Sequence, residues 1–536
     1  MRGSPHVSVL LLIQLLASCP RCDKAAPSAA RTPSIQRFLP RVSEAVVVIP
    51  RLDQLGVKLR QLERLKLASF LAQLQGFPSA EAYVSAAMEQ LGVDLRSADE
   101  LARAGIDGGR AAAIAFVSAR RRYLVIALAD APRFQQAVRR LAASRLGATV
   151  ETTRQELGRA ITYFARPGEA GAVLAFVPVD SFALLAAEDS VEELAGYAAL
   201  SLPESLADAQ PLATALRQQP ASPDVYLHVP TTSNLAGQGT LANCTVSAEL
   251  TATALQVRAR LPRAPTAQWL SLLRKQHAED LIASLPGDAF LVARFSGDPL
   301  LLAKVWPTLV GPQLAEAIER SGIALEQGVF DNLEPGMEAS ISLAPSASFA
   351  EIPSLNVRRT NPFRYFHLVA LAPVKDPRKA DQTLEKLPGL AAQLGATVQS
   401  ADRQGHRVFL GSYALGEGIH FAQLSGKLAV ASPVERLDQT IARVSEPARE
   451  RAGPIADPEL RKALSARPLA AVLDLPALAD SIRRMPSSAW GVGGFAIKAG
   501  TVRWLDALDD VRAITGGAYL DDDAVGVEVD LRFVKR

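Results

Sequence analysis

The feature that most constrains this chain is an internal duplication. A strand-like apolar segment beginning Arg122-Tyr123 is followed, far along the chain, by a similar segment beginning Arg364-Tyr365. Further landmarks follow in the same order in both copies. The matched pairs of segments are 122–129 and 364–372, 146–150 and 394–398, and 191–194 and 434–437. Because the order is conserved from landmark to landmark, the sequence predicts two units that share one fold.

The duplication also predicts how the chain is divided. At 536 residues the chain is too long for a single hydrophobic core. The predicted segments are a lipoprotein signal peptide at 1–18, an acylated cysteine with a flexible tether at 19–37, repeat unit 1 at 38–262, a helical bridge at 263–282, and repeat unit 2 at 283–536.

Hydrophobic periodicity indicates the fold of each unit. Residues 246–261 and 514–533 alternate apolar and polar side chains, which predicts antiparallel strand pairs with one face toward solvent. Leucines at helical spacing over 52–74 predict one long amphipathic helix. Gly147 and Gly395 are predicted helix stops. The predicted fold class is α+β, with two tandem pseudo-symmetric units, each a mainly antiparallel sheet with helices packed on one face.

Composition and charge limit the classes of function. Apolar residues make up 49% of the chain and charged residues 21%, which is typical of a folded globular protein. The formal net charge is only +3, from 58 basic and 55 acidic residues. No dense basic block with interleaved aromatic residues occurs, so a nucleic-acid partner is not expected.

The N-terminus has the pattern of an exported protein. The apolar run over 7–16 has the length of a signal-peptide core and is too short to span a bilayer. The following residues, Leu16-Ala17-Ser18-Cys19, resemble the bacterial lipobox. That resemblance implies a diacylglyceryl-modified Cys19 and a lipid-anchored protein of the cell envelope, at the outer membrane and facing the periplasm. The alternative is an ordinary secretory signal with a cysteine there by chance.

The three cysteines do not predict a redox site. Cys19 and Cys22 have the Cys-x-x-Cys spacing of a thioredoxin-like pair, but a linker-like sequence follows them rather than a helix of a βαβ unit. An acylated Cys19 is also unavailable for such chemistry. A disulfide between Cys22 and Cys244 stays open, since a periplasmic location permits it.

The histidines do not show the spacing of a metal site. His367 and His420 lie in predicted strands of one sheet and could be neighbours, but two structural histidines on a half-solvated face is the favoured interpretation. No known nucleophile elbow, phosphate-binding loop or dinucleotide motif is present. The sequence therefore predicts no catalytic residues, no cofactor and no metal.

Three conspicuous segments have ordinary explanations. Glycine-rich residues 491–494 do not follow a strand and are predicted to form a surface loop. Consecutive aspartates at 521–523 lack the ligand spacing of a calcium loop and are interpreted as a solvated hairpin turn. Asp506, Asp509 and Asp510 are predicted to lie on the wet side of a helix. Residues 480–510 have no counterpart in unit 1.

These observations leave two main hypotheses for function. In aggregate the chain resembles two-repeat envelope lipoproteins and secreted proteins of high-GC Gram-negative bacteria. The first hypothesis is a non-enzymatic cell-envelope lipoprotein that acts as a binding or scaffold module. The alternative is a periplasmic carrier of lipid or another apolar ligand, and an uncharacterised hydrolase comes third. The expected partners are the membrane, through the anchor at Cys19, and a protein or lipid ligand.

Overall fold

The computed structural model describes residues 34–209, 212, 223–230, 243–263, 268–310, 316, 318–345, 365–413, 416–445, 453–490, 494–521 and 524–534. The predicted signal peptide, Cys19 and the tether up to residue 33 lie outside the described residues. The end of the predicted tether is wrong, because Ile35–Phe38 form a 3-10 helix. The side chains of Ile35 and Phe38 are buried in the core of the first unit, so the folded chain begins before residue 38.

The described chain separates into two compact units that divide between Pro262 and Arg263. Both contain helices and strands, so the predicted mixed α+β class is confirmed. The 3-10 helices are Ile35–Phe38, Glu188–Ser190, Leu206–Asp208, Gln268–Leu273, Ile282–Ser284, Phe330–Asn332 and Ser487–Trp490, and a π-helix spans Leu325–Val329.

The strands of the first unit form one antiparallel sheet. They are β1 Ala45–Ile49, β2 Ala112–Phe116, β3 Arg122–Ala127, β4 Val150–Glu156, β5 Arg159–Ala165, β6 Ala172–Val179, β7 Phe182–Ala187, β8 Val225–Val229, β9 Cys244–Leu250 and β10 Ala254–Pro262. Their order across the sheet is β4-β5-β6-β7-β3-β2-β1-β8-β9-β10. The N-terminal strand β1 therefore lies inside the sheet, between β2 and β8.

Along the chain, most of the described helices of the first unit follow β1 and precede β2. The helices are α1 Leu52–Leu62, α2 Lys66–Leu74, α3 Ala80–Leu91, α4 Ala98–Arg103, α5 Ala131–Leu146 and α6 Leu194–Ala198. The predicted single helix over 52–74 is wrong, because the chain turns between α1 and α2. Leu65 has an extended backbone there, and the Glu63 carboxylate is held 2.9 Å from the guanidinium of Arg96.

The strands of the second unit repeat the arrangement of the first. They are β11 Leu291–Phe295, β12 Met337–Leu343, β13 Phe366–Pro373, β14 Ala396–Arg403, β15 His406–Tyr413, β16 Gly416–Leu424, β17 Lys427–Ser432, β18 Leu469–Asp474, β19 Val511–Leu520 and β20 Ala524–Phe533. Their order is β14-β15-β16-β17-β13-β12-β11-β18-β19-β20, again with antiparallel pairing throughout. Each position corresponds to the strand numbered ten lower in the first unit.

Helices of the second unit pack on both faces of its sheet. They are α7 Leu300–Val310, α8 Pro377–Leu384, α9 Leu387–Gln393, α10 Val434–Ser445, α11 Pro458–Ala466, α12 Leu475–Arg484 and α13 Gly494–Ala507. Helices α10 and α11 pack with Val292, whereas α12 packs with Leu291. Successive strand residues point to opposite faces. The prediction of helices on one face is therefore wrong here, because β11 carries apolar side chains on both faces and both must be covered.

The predicted helical bridge is mostly not helical. Within 263–282, the described part contains the 3-10 helix Gln268–Leu273 and then runs without a helix from 274 to 281. This segment belongs to the second unit, where Leu281 and Ile282 are buried in the core. The polar run 274–280 contains no stripe of apolar side chains that a helix could bury.

The two glycines predicted to stop helices do so. Gly147 caps α5 with φ +66°, and its N–H donates to the carbonyl of Ala142. Gly395 has φ +69° and lies between α9 and β14. A left-handed backbone at the end of a helix favours glycine, which explains why both landmarks contain one.

Candidate functional site

The second unit contains a buried contact between an arginine and a glutamate on neighbouring strands. Arg294 on β11 and Glu338 on β12 are direct cross-strand partners, and Arg294 Nη1 lies 3.2 Å from Glu338 Oε1. Arg294 is 7% exposed and Glu338 is 2% exposed. On the next strand Glu338 is paired with Leu371, a member of the main core cluster. The charges therefore lie at the margin of a hydrophobic core, where an unpaired charge would be costly.

The Arg294 guanidinium also holds two other parts of the second unit in place. Its Nη2 donates to the carbonyl oxygens of Ala278, at 3.4 Å, and Glu279, at 3.1 Å. Its Nη1 donates to the Ser465 hydroxyl at 3.5 Å. Arg294 thus connects β11 to the connecting segment 274–281 and to α11. A planar guanidinium with five N–H donors suits this role, because it serves several acceptors at once.

These elements surround a polar pocket of about 430 Å³, here called the Arg294 pocket. Its lining residues are Lys275, Gln276, His277, Ala278, Arg294, Ser296 and Ser465. Its volume lies within the range of roughly 300–1,000 Å³ that is usual for small-molecule sites. Among these seven described residues, Lys275 and Arg294 are cationic and His277 is a third basic side chain. None of the seven carries a carboxylate.

One buried group in the Arg294 pocket has an unmet hydrogen bond. Ser296 is 2% exposed, and its hydroxyl has no hydrogen-bond partner within the described part of the chain. Its backbone is fully used, since its N–H donates to Pro468 and its carbonyl accepts from Gln276. A buried hydroxyl without a partner costs about 1–3 kcal/mol. Ser296 therefore provides a hydrogen-bonding position for a group that enters the pocket.

Burial dominates the protonation of Glu338. It raises the pKa of the Glu338 carboxyl to about 8, although the neighbouring Arg294 acts in the opposite direction. The carboxylates of Asp280 and Glu279 raise the pKa further. A carboxyl that titrates near neutral pH beside a pocket is a frequent mark of a functional site. An ionised Glu338 carboxylate neutralises the charge of Arg294, whereas a protonated Glu338 leaves that charge available to a ligand.

The first unit has an apolar cleft between α1, α2 and α3. Its volume is about 220 Å³, and the described residues lining it are Leu59, Leu62, Glu63, Ala68, Leu71, Ala72, Leu74, Gln75, Ala80, Tyr83 and Val84. Leu71 and Leu74 are exposed at its edge. This volume is below the usual range for a site that encloses a small molecule.

A wider recess in the first unit is acidic. It is lined in part by Glu156, Glu192, Glu193 and Glu204. Glu193 accepts a hydrogen bond from the Tyr197 hydroxyl and pairs with Arg121 at 2.8 Å. The acidic residues are thus partly used within the fold, and the recess is open to solvent.

The two histidines singled out in the sequence are not paired with each other. His367 is on β13 and His420 on β16, and β17 lies between these strands. His367 Nδ1 accepts a hydrogen bond of 3.0 Å from Arg436 Nε. Because a guanidinium is always a donor, the neutral imidazole must carry its proton on Nε2. Arg436 also forms two hydrogen bonds to Asp288, at 2.8 and 2.5 Å. His420 is buried, so its predicted place on a half-solvated face is wrong. That both histidines have only a structural role stays a prediction.

Cys244 is the first residue of β9. It is a free, buried thiol among the described residues, and burial raises its pKa. Cys19 and Cys22 lie outside the described residues. The predicted acylation of Cys19 and the open pairing of Cys22 with Cys244 therefore stay predictions.

The structure changes part of the interpretation of the glycine- and aspartate-rich segments. Gly494 begins α13, so the predicted surface loop does not include it, and 491–493 lie outside the described part. Asp506 and Asp509 are exposed and pair with Arg483 at 3.0 and 3.4 Å. Asp510 is buried, so its predicted place on a wet helix face is wrong. Of the 521–523 turn, only Asp521 is described.

Comparisons with known proteins leave the site to be interpreted from its own geometry. No protein-family model matches the chain, and no curated protein or solved structure matches it. The described residues contain no cluster of three or more His, Cys, Asp or Glu side chains that could hold a metal ion. No helix in the described ranges combines the length and hydrophobicity needed to cross a membrane.

Proposed function

We propose that this protein is a non-enzymatic lipoprotein of the cell envelope, anchored at Cys19, that acts as a binding module. The Arg294 pocket binds an oxyanion group, carboxylate or phosphate, of its ligand. The observation that carries the proposal is the Ser296 hydroxyl, which is buried at the pocket without a hydrogen-bond partner among the described residues. Native proteins pair nearly all buried polar groups, so an exception at a pocket favours an absent ligand group.

The sign of the charge at the Arg294 pocket supports an anion. Lys275 and Arg294 line it, and no lining side chain is acidic. The Lys275 ammonium donates to the carbonyl of Ser465, which places it at the pocket wall. Hydrogen bonds from cationic donors to oxyanions are short and roughly twice as strong as neutral ones.

The pocket sits on a scaffold that we propose to be two tandem pseudo-symmetric units derived from one α+β fold. The identical strand orders support this proposal, as do the helix stops at Gly147 and Gly395. The ten strands of each unit follow one order, as expected if both units bury the same hydrophobic pattern in the same way. Superposition of the two units is the direct test, with the landmark segments 122–129 and 364–372 expected to coincide.

Anion binding can be measured by titration calorimetry of the full-length protein. The probes are inorganic phosphate, acetate and glycerol phosphate, which separate free anions from a lipid-like headgroup. We expect Ser296→Ala and Lys275→Gln each to weaken binding by about tenfold or more, because each removes one donor to a charged group. Lys375→Gln is the matched control, since Lys375 is an exposed lysine of the same unit that pairs with Asp331 at 3.8 Å.

Two results would contradict the anion site. One is equal weakening by Lys375→Gln, which would show general attraction by surface charge. The other is unchanged affinity in Ser296→Ala. Arg294→Gln removes a cationic donor of the pocket but also disturbs the fold. Its effect on anion affinity should therefore be compared with that of Arg436→Gln, because the Arg436 guanidinium is equally buried in the same unit and also pairs with a carboxylate.

The alternative function is a carrier of lipid or another apolar ligand. The apolar cleft between α1, α2 and α3 is the observation that favours it. At about 220 Å³ the cleft accommodates a small apolar group more readily than a whole lipid. Mass spectrometry of protein extracted from membranes would distinguish the functions, since a carrier should retain a stoichiometric noncovalent lipid.

Attachment to the membrane is tested at the proposed anchor. Cys19→Ala should leave the protein uncleaved by the lipoprotein signal peptidase, or release it in soluble form. The reason is that two or more acyl chains give stable anchoring and the variant has none. Cys22→Ala is the matched control and should be processed normally. A Cys19→Ala protein that is processed and fractionates with membranes like the native protein would refute the anchor.

A further inference from the structure

The Arg294 guanidinium forms a direct link between the Arg294 pocket and the buried carboxyl of Glu338. Arg294 lines the pocket, and its Nη1 atom lies 3.2 Å from Glu338 Oε1. Glu338 is not among the described lining residues, and its side chain has no exposed surface. A ligand anion in the pocket and an ionised Glu338 would therefore be held by the same guanidinium, within several ångströms of each other.

The position of Glu338 in the sheet fixes how its charge can be removed. Glu338 lies on β12, between β11 and β13, and pairs across these strands with Arg294 and Leu371. Within the described residues, neither of its carboxyl oxygens accepts a hydrogen bond of normal geometry. Because no part of the side chain reaches solvent, the carboxylate loses its charge by taking up a proton and not by turning into water.

The charges that act on Glu338 come from β11 and from the connecting segment. β11 supplies Arg294, and the connecting segment supplies Asp280 and Glu279. Asp280 Oδ1 is 4.0 Å from Arg294 Nη1, but the Asp280 side chain is 64% exposed. Glu279 is also exposed and pairs with Lys427 at 3.3 Å. Of these three carboxyl groups only Glu338 is buried, so the charge of a ligand acts on it with the least screening by water.

We propose that the Arg294 pocket binds its anion together with a proton, which Glu338 takes up. This inference rests on the proposed function, because it concerns the regulation of the same pocket. Like charges at short distance disfavour ionisation, so a bound anion favours the protonated carboxyl. By linkage, protonation of Glu338 strengthens anion binding by the same factor.

The pH dependence of anion affinity follows from this coupling. Burial raises the pKa of Glu338 in the free protein to about 8. Well below this pH the carboxyl is protonated with or without the anion, so it does not make the affinity depend on pH. Above this pH the free protein has lost the proton, and binding must restore it. The affinity should then fall by at most about tenfold per pH unit, because one proton is taken up.

Titration calorimetry of the full-length protein with acetate tests the coupling. Acetate is the probe because a carboxylate stays ionised at about pH 7 and about pH 9, whereas phosphate groups titrate near pH 6. Repeating each titration in buffers with different heats of ionisation gives the number of protons taken up. From about pH 7 to about pH 9 we expect affinity to fall several-fold, with uptake of up to about one proton per acetate at the higher pH.

Three variants identify the group that takes up the proton. Glu338→Gln should lose both the pH dependence and the proton uptake, and should bind acetate several-fold more tightly than the native protein at about pH 9, because its amide resembles the protonated carboxyl. Glu279→Gln is the matched control, since it removes a nearby exposed carboxylate and should keep the proton uptake. His277 lines the pocket and is a second candidate for the proton, so uptake should also persist in His277→Asn.

The outcomes separate the coupling from the anion site itself. Proton uptake that persists in Glu338→Gln, or that disappears in His277→Asn, would overturn the coupling. Equal native affinities at both pH values without proton uptake would do the same, and this measurement needs no substitution. In each of these cases acetate still binds, so the anion site stands. If the native protein binds acetate at neither pH, the anion site is refuted and the coupling with it.

Discussion

Replacing Glu338 by glutamine is expected to flatten the fall in stability that the native protein shows as the pH rises from about 4.5 to about 8. Burial raises the pKa of this carboxyl in the folded protein from its ordinary value of 4.5 to about 8. Between these values the folded protein keeps the proton and the unfolded chain has lost it. The free energy of unfolding therefore decreases with rising pH across this window and levels off above it.

The size of the Glu338 effect is on the order of a few kcal/mol, because each unit of pKa difference corresponds to about 1.4 kcal/mol. Glutamine resembles the protonated carboxyl, so the variant should be close to native stability at pH 4.5 and more stable than native at pH 8. Urea unfolding followed by tryptophan fluorescence is the measurement. All four tryptophans lie in the second unit, so the signal reports on the unit that contains Glu338.

Glu385→Gln is the control for Glu338→Gln. Glu385 is an exposed carboxylate of the same unit that pairs with Arg407 at 2.7 Å. Exposed ion pairs contribute about 0–1 kcal/mol, so this change should preserve the pH dependence. If native protein and Glu338→Gln lose stability equally between pH 4.5 and 8, Glu338 is ionised in the folded state and the buried pair is a full salt bridge.

Gly105→Ala is expected to destabilise the first unit by several kcal/mol. Gly105 follows α4 with φ +76°, and a Cβ there would lie 2.2 Å from the carbonyl oxygen of Asp130 and 2.6 Å from the N–H nitrogen of Phe134. Both atoms are backbone at the start of α5 and cannot move alone. The Gly105 carbonyl also accepts hydrogen bonds from Ala129 and Asp130, so displacing it would disturb the junction of β3 with α5.

Gly158→Ala is the control that measures the cost of a left-handed backbone without a steric clash of the added Cβ. Gly158 has nearly the same φ, +74°, but nothing lies within 4 Å of a Cβ built there. Its change to alanine should cost only the left-handed backbone penalty of roughly 1–2 kcal/mol. Thermal unfolding monitored by far-UV circular dichroism would compare the two variants. Equal losses would show that Gly105 tolerates a Cβ and that the junction is less closely packed than described.

Much of the fold was predictable because it depends on local pattern. The closing hairpins of both units occur where apolar and polar residues alternate, as β9–β10 and β19–β20. The helix stops at Gly147 and Gly395 follow from a backbone conformation that favours glycine. The break between α1 and α2 was not predictable, because helical periodicity continues through Leu65 although its backbone is extended.

The Arg294 pocket was missed for a physical reason. In β12 the polar residues Glu338, Ser340 and Ser342 are buried, as is Leu343 at the end of the strand, whereas alternation would have placed the three polar residues toward solvent. Which face of a strand is buried depends on the neighbouring strands and on the segments that pack over the sheet. That information cannot be read from the sequence of one strand. The available signal was Arg294 itself, a charged residue inside the apolar strand Leu291–Phe295.

The interior position of β1 has a consequence for how the chain folds. Val46 on β1 pairs with His228 on β8, a partner that lies far along the chain, and β11 depends in the same way on β18. Contacts between distant segments slow folding, because a long loop must close before they form. During synthesis from the N-terminus, the apolar strand β1 therefore has one unpaired edge until nearly all of its unit has emerged. Such an edge is a site for aggregation, so the risk of aggregation lasts until β8 and β18 are available to cover the open edges of β1 and β11.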